Sequence, residues 1–299
     1  MAPSSNIHVG TCSWAEKSLI QSGEFYPKGV SSAEERLRFY ASRFNTLEVD
    51  STYYAIPALH TTELWAERTP ASFLFHVKVY GALTGHGTDP RTLSKDLREL
   101  LPAADREKRT IRINEPEFLK AVANAFAASL APLRAAGKLG LLVFQFPPWF
   151  LYKAADLDYI LKCRELVGDL PIAVEFRHGS WLTEPHREGV LKFLRDHGIT
   201  YVTADEPQYG TLATVPFLPE VTTEIAYFRL HGRNREAWLK KGVETSERYD
   251  YLYSTGELRD FAAAVEKVAS RAKKVFVMFN NCRAGHAMKN ALEILGILG

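Results

Sequence analysis

Side chains able to hold charge or move protons recur at the ends of short apolar runs in this chain. Glu48 and Asp50 alternate with Leu47 and Val49, and Lys78 lies between Val77 and Val79. Gln145 follows Phe144, Glu175 and Arg177 flank Phe176, and Asp205 follows Ala204. Arg229 and His231 flank Leu230, and Asn280 follows Phe279. The carboxylates Glu48, Asp50, Glu175 and Asp205 are of the type used as general acid, general base or metal ligand. His231 suits proton transfer near neutral pH. Lys78, Arg177, Arg229 and Arg233 suit the oxygens of a phosphate or carboxylate. Asp50, Gln145 and Asn280 complete a polar binding set.

The elements that must position these groups are strands, because alternate residues of a strand face opposite sides. Candidate strands are Ile7–Thr11, Thr46–Asp50, Phe73–Val79, Leu139–Phe146, Ile172–Arg177, Thr200–Asp205, Ile225–His231 and Val275–Asn280. Helical patterns separate most of them, which implies parallel βαβ units. Eight such units point to a single (β/α)8 TIM-type barrel spanning residues 1–299. On all but the first strand, one phase is apolar and suits packing under helices. The other turns polar toward the C-terminal end, where barrel enzymes keep their active sites. A purely structural ion-pair network is the competing explanation. It is weakened by the several kcal/mol that each buried ion costs without excellent geometry.

Capping-box patterns at Ser32/Glu35 and Ser254/Glu257 open helices over Arg36–Phe44 and Leu258–Ala272. Pro116 starts a long helix running to about Ala135, with Gly137 as its stop. Further helices are expected over Ala154–Val167 and His186–His197. The barrel is irregular: a long insertion separates strands three and four, and Glu206–Glu224 shows no helical period, so one helix is reduced there. A long loop, Gly232–Tyr253, follows strand seven.

Trp181, Tyr53 and His86 lie in loops after strands and are candidate ligand walls, although loop packing would use the same residue types. Net charge is +2, from 37 Lys+Arg against 35 Asp+Glu, which argues against general attraction to nucleic acid or membrane. The three cysteines, Cys12, Cys163 and Cys282, are widely spaced and suggest neither disulfides nor thiolate zinc. Met1–Ser5 starts no secretory pattern, so a cytoplasmic protein is expected, a nuclear one being the alternative. HExxH, P-loop, GxGxxG and GxSxG motifs are missing, and no cofactor or metal is expected.

Eight phrases occur in order: GTCSWAEKSL, FNTLEVDSTYY, FHVK, LLVFQFPPWF, AVEFRHGSW, YFRLHGR, YDYLYSTGEL and FNNCRAGHAMKNAL. Together they resemble the DUF72 family, also called YecE-like, over about residues 7–296. The resemblance implies a TIM-type barrel and leaves the activity open. It is similar in outline to xylose-isomerase-like and endonuclease-IV-like barrels, but the His-rich trinuclear zinc set of the latter is not matched. It implies shared polar positions at Glu48, Asp50, Ser51, Lys78, His86, Gln145, Glu175, Arg177, Trp181, Arg229, His231, Gly232, Arg233, Asn280 and Asn281. Asp50 stands where an Asn is more usual in the family. Gly85 separates Thr84 from His86, which are adjacent in the usual pattern, so His86 is expected to shift away from the mouth.

The function expected is an enzyme acting on a small anionic, phosphate- or carboxylate-bearing substrate, a sugar-like compound being one form of it. Glu48, Glu175, His231 and Asp205 would form its catalytic set. Two alternatives stay open. One is a nucleic-acid-binding or phosphodiester-processing protein using Arg106–Arg112, Lys240 and Lys241; the other is a non-catalytic ligand sensor or scaffold. The oligomeric state is not specified by the sequence.

Overall fold

Branched and aromatic residues in alternation form eight strands: β1 (Ile7–Thr11), β2 (Thr46–Val49), β3 (Leu74–Lys78), β4 (Leu139–Gln145), β5 (Ile172–Glu175), β6 (Thr200–Asp205), β7 (Ile225–Leu230) and β8 (Lys274–Phe279). The computed structural model describes residues 6–299, so the reading of Met1–Ser5 lies outside the described residues. All ladders are parallel, in the order β1-β8-β7-β6-β5-β4-β3-β2. The strands curl into a nearly closed TIM-type barrel with helices packed outside. Asp50, Arg177, His231 and Asn280 fall just beyond the ladders, where the chain turns into loops.

The seam between β1 and β2 has no ladder pairing, and a side chain closes it. The buried Tyr40 hydroxyl accepts from the Thr11 amide at 2.9 Å and donates to the Thr46 carbonyl at 3.0 Å. Gly10 permits the approach, since a Cβ there would lie 2.3 Å from the Thr46 oxygen.

The outer helices are α1 (Ala33–Ala41), α2 (Leu59–Glu67), α3 (Pro116–Ser129), α4 (Asp156–Leu166), α5 (Glu184–Asp196), α6 (Thr255–Ala269) and α7 (His286–Leu298). Both capping boxes form, on α1 and α6. The expected long helix from Pro116 instead ends at Ser129, and a separate turn covers Ala131–Ala135. Pro132 explains the break, because its ring would clash with the carbonyl four residues earlier and it has no N–H to donate. Between β6 and β7 there is no helix among the described residues, as the Pro- and Thr-rich composition suggests. The Gly232–Tyr253 stretch carries two short turns of helix, Arg235–Trp238 and Thr245–Arg248, as a strap beside the mouth. No helix among the described residues is long and apolar enough to cross a membrane.

Candidate active site

Strand register decides which side chains enter the barrel. Cys12, Leu141, Val143, Ala173, Val202, Tyr227, Phe276 and Met278 pack together in the interior. Residues paired across a parallel ladder share a face. Glu175 pairs with Gln145, so these two point inward above Ala173 and Val143. Val202 and Ala204 pair with Tyr227 and Arg229, so β6 sends Val202, Ala204 and then Glu206 inward. Asp205 pairs with Leu230 and faces the other way.

Arg229 is the hub of the layer above this floor, and it is fully buried. Its guanidinium forks onto Glu48, with Nη2 to Oε1 at 2.6 Å and Nε to Oε2 at 3.1 Å. Nη1 donates to Glu175 and, at 3.1 Å, to Gln145. Nη2 also reaches Asp50 at 3.3 Å. Glu48 accepts a further bond from the Tyr227 hydroxyl at 2.7 Å. His231 Nε2 lies 3.0 Å from Glu175, and its Nδ1 lies 2.8 Å from the Asn280 amide nitrogen. This pattern is that of a neutral imidazole, donating from Nε2 and accepting at Nδ1.

The carboxylates of this layer have been driven apart. Burial pushes Glu48 up to about 7, with the Asp50 charge adding to it against the pull of Arg229. Burial works against the charge of Glu175 too, yet Arg229, His231 and Arg177 together hold it well below the usual range. Burial lowers His231 to about 4, which Glu175 only partly offsets. Glu48 can therefore carry a proton near neutrality, whereas Glu175 is a fixed anion and His231 a fixed neutral group. Carboxyls separated in this way are candidates for divided acid and base roles.

Above this layer the mouth is open. The Asp50 side chain retains 24% exposure and that of Arg177 12%. Arg177 bonds Glu206 at 3.1 Å and Glu175 at 3.3 Å, and lies over the Trp238 ring at 5.1 Å. Lys78 lies over the Tyr53 ring at 4.6 Å, and among the described residues no carboxylate pairs with its ammonium. His86 stands edge-on to Tyr53 at 5.1 Å and to Trp149 at 5.5 Å. Thr84 bonds its Nδ1 at 2.8 Å across Gly85, whose φ of +74° lets the turn close. The extra glycine therefore keeps His86 beside the mouth, against the expected shift. Burial, with Lys78 and Arg177 nearby, lowers it to about 4.

Several sequence-derived assignments change. Asp205 does not line the mouth: it binds Arg233 in two-pronged fashion, at 2.7 and 3.0 Å, and accepts from the Tyr253 hydroxyl at 2.7 Å. Arg233 leaves the mouth with it, since it also pairs with Glu257 at 3.1 Å and lies over Phe261. The pair anchors the strap to α6. Trp181 is not a ligand wall: it is fully buried, stacks on Phe176 at 4.4 Å and donates to the Phe150 carbonyl. Arg229 is not a free anion holder, because carboxylates occupy its fork. Glu206 is the acid that sequence reasoning missed. It is buried, accepts from the Val215 amide at 2.7 Å and is pushed up to about 7 by burial, against Arg177. Two adjacent acids follow Ala204, and only the ladder register tells which one turns inward.

Cys12, Glu48 and Asp50 present donor atoms within 4.8 Å of one another, a spacing open to a metal ion. Arg229 Nη2 already stands among them, 2.6 Å from Glu48, 3.3 Å from Asp50 and 3.8 Å from Cys12 Sγ. A second cation there would face the guanidinium at close range, so this donor set does not fit a divalent metal. Of the basic stretch at 106–112, Arg106 is spent on the Leu101 and Glu99 carbonyls and Lys108 on Asp105. Arg112 lies over Trp149 at the rim.

Comparison with known proteins places this geometry in a family. The family described as "Protein of unknown function DUF72" matches residues 8–299. The UPF0759 protein YunF of Bacillus subtilis (strain 168) is 33% identical over 296 residues, covering 98% of this chain and 94% of that protein. A crystal structure of a DUF72 family protein from Thermotoga maritima superposes with a TM-score of 0.78 at 33% identity, covering 98% of this chain and 99% of that one. Another, from Enterococcus faecalis V583, gives 0.78 at 32% identity and covers 98% and 95%.

Proposed function

This chain belongs to the DUF72 family, and we propose that it is an enzyme that holds a small anionic, phosphate- or carboxylate-bearing substrate at the barrel mouth. The observation that carries this reading is Lys78. Its ammonium stands at the mouth without a carboxylate partner among the described residues, while the Arg177 guanidinium at the mouth and the Arg229 guanidinium beneath it are paired. A cation left without a carboxylate partner favours an anion from solution.

The acid pair supplies the chemistry. Asp50 is the carboxylate that solvent reaches, and Glu48 behind it takes up a proton near neutrality. Together they can accept a proton from a bound substrate and return it, with Asp50 in contact and Glu48 as the reservoir. Glu175, His231 and Asn280 do not move protons in this scheme. They hold Arg229 and Arg177 in place.

The test is capture of cell metabolites by the purified protein, read by mass spectrometry, with Lys78→Met and Asp50→Asn alongside. The expected result is an anionic compound retained by wild type, depleted on K78M, and retained but not turned over by D50N. Retention of only neutral or cationic compounds, or equal retention by K78M, would overturn the reading.

A further inference from the structure

A small cavity of about 190 Å³ opens beside the mouth, walled by Pro148, Arg177, Ala213, Trp238, Leu239, Arg248 and Tyr249. It lies below the roughly 300–1,000 Å³ that encloses a whole small molecule, so it suits one terminal group. Its lining contains two arginines and no carboxylate. Arg177 spends Nε on Glu206 and Nη1 on Glu175, which leaves Nη2 outside both ion pairs, with the Tyr249 side chain as a further hydrogen-bond partner of the guanidinium. Arg248, on the short helix Thr245–Arg248, has its Nη2 on the Lys240 carbonyl and no carboxylate partner among the described residues. Its Nε is buried without any hydrogen-bond partner. Sealed from solvent, that Nε cannot itself reach a ligand; what Arg248 brings to the cavity wall is a positive charge that no carboxylate among the described residues offsets. Trp238 and Tyr249 meet edge to face at 5.6 Å and close one side with apolar surface, where water screens poorly.

The donors come from different walls: Arg177 from the end of β5 and Arg248 from the strap. A planar carboxylate offers two oxygens in one plane and suits a single guanidinium fork. An anion with oxygens in three dimensions matches converging donors better. We propose that this cavity receives the phosphoryl group of a phosphate monoester, held between Arg177 and Arg248. The rest of the substrate would then lie across the mouth at Lys78 and Asp50, a second half that rests on the function proposed above. Phosphate binding in the cavity stands without it.

Calorimetric titration of the full chain with inorganic phosphate at low ionic strength tests the proposal. Arg248→Met should weaken binding at least about tenfold, the size of one lost charge-assisted hydrogen bond. Arg248→Lys should fall between, and Ala213→Asp, which places a like charge in the cavity, should abolish binding. Lys120→Met, on the outer helix α3 and outside the cavity, should bind phosphate as wild type does, whereas Lys78→Met reports separately on the mouth. Thermal melts of R248M and A213D establish that both fold, and should R248M not fold, R248K and A213D decide. Wild type that binds no phosphate, or R248M that binds it as wild type does, overturns the proposal. If K78M loses phosphate while R248M keeps it, the anion sits at Lys78: the cavity assignment falls and the mouth reading stands.

Discussion

Replacing Arg229 by Met removes the one cation that Glu48 and Glu175 share while keeping the hydrophobic volume of the site nearly filled. Arg229 and both glutamates are fully buried. The variant strips Glu48 of its two-pronged contact and Glu175 of its strongest one. Removing one partner of a buried ion pair costs about 3–5 kcal/mol, because a charge stays behind without compensation. With an unfolding entropy of about 2.1 cal/mol/K per residue, this chain gains about 0.6 kcal/mol/K on melting, so the loss reads as about 5–8 °C in Tm. The loss should also depend on pH. Once Arg229 is gone, both carboxyls escape burial of charge by keeping their protons, which is easier at pH 5 than at pH 8. The gap between R229M and wild type should therefore widen as pH rises, and R229M/E175Q should recover part of it. Calorimetric melts at pH 5, 7 and 8 measure this. A variant that melts within about 1 °C of wild type at pH 7, or shows a gap independent of pH, would refute the view that Arg229 is the counter-ion of this layer.

Two further outcomes follow from the same structure. Tyr40→Phe removes the hydroxyl that bridges β1 and β2, leaving the Thr11 amide and the Thr46 carbonyl unmatched. At about 1–3 kcal/mol for each of the two orphaned buried groups, Tm should fall by about 3–10 °C, with faster hydrogen exchange at the Thr11 amide; unchanged exchange there would contradict the bridge. Glu48→Gln should expose the linkage of Glu48. Its folded value, about 7, lies above the ordinary 4.5, so the folded protein holds a proton that the unfolded chain releases between those values. The contribution of Glu48 to stability therefore falls as pH rises from about 5 to 8, by about 3 kcal/mol at most. Denaturant unfolding should show wild type losing ground to E48Q across that window, and parallel curves would argue against a raised Glu48.

The barrel was legible because its signal is repeated: each strand writes the same alternation, and errors at the ends do not change which face is apolar. The helix after Pro116 was misjudged because Pro132 acts on a carbonyl four residues back, which an apolar period does not register. Asp205 and Glu206 show where alternation stops helping. Both are acids at the end of one strand, and pairing of Ala204 with Arg229 is what turns Glu206 inward. Trp181 and Phe176 are five residues apart in the chain, yet their stacking depends on a turn, Gly179–Leu182, that carries no period. Arg248 lay beyond reach altogether, since only the fold of the strap brings it to the cavity that Arg177 also lines.

What remains is why a barrel should keep a buried ion layer that apolar residues could replace without loss of stability. If the layer served only to fill the barrel, nothing would require open cations above it, and Lys78 would gain by having a carboxylate neighbour. Instead the acids of the layer are consumed by Arg229, His231 and Tyr227, and Lys78 is left without a carboxylate partner among the described residues. The same pairing keeps Asp50 and Arg177 from collapsing onto each other, since each already has a fixed neighbour of opposite charge. The buried layer thus acts as a rigid support that leaves both signs of charge presented at the mouth, an arrangement that supports the proposed ligand, anionic at one end and exchanging a proton at the other.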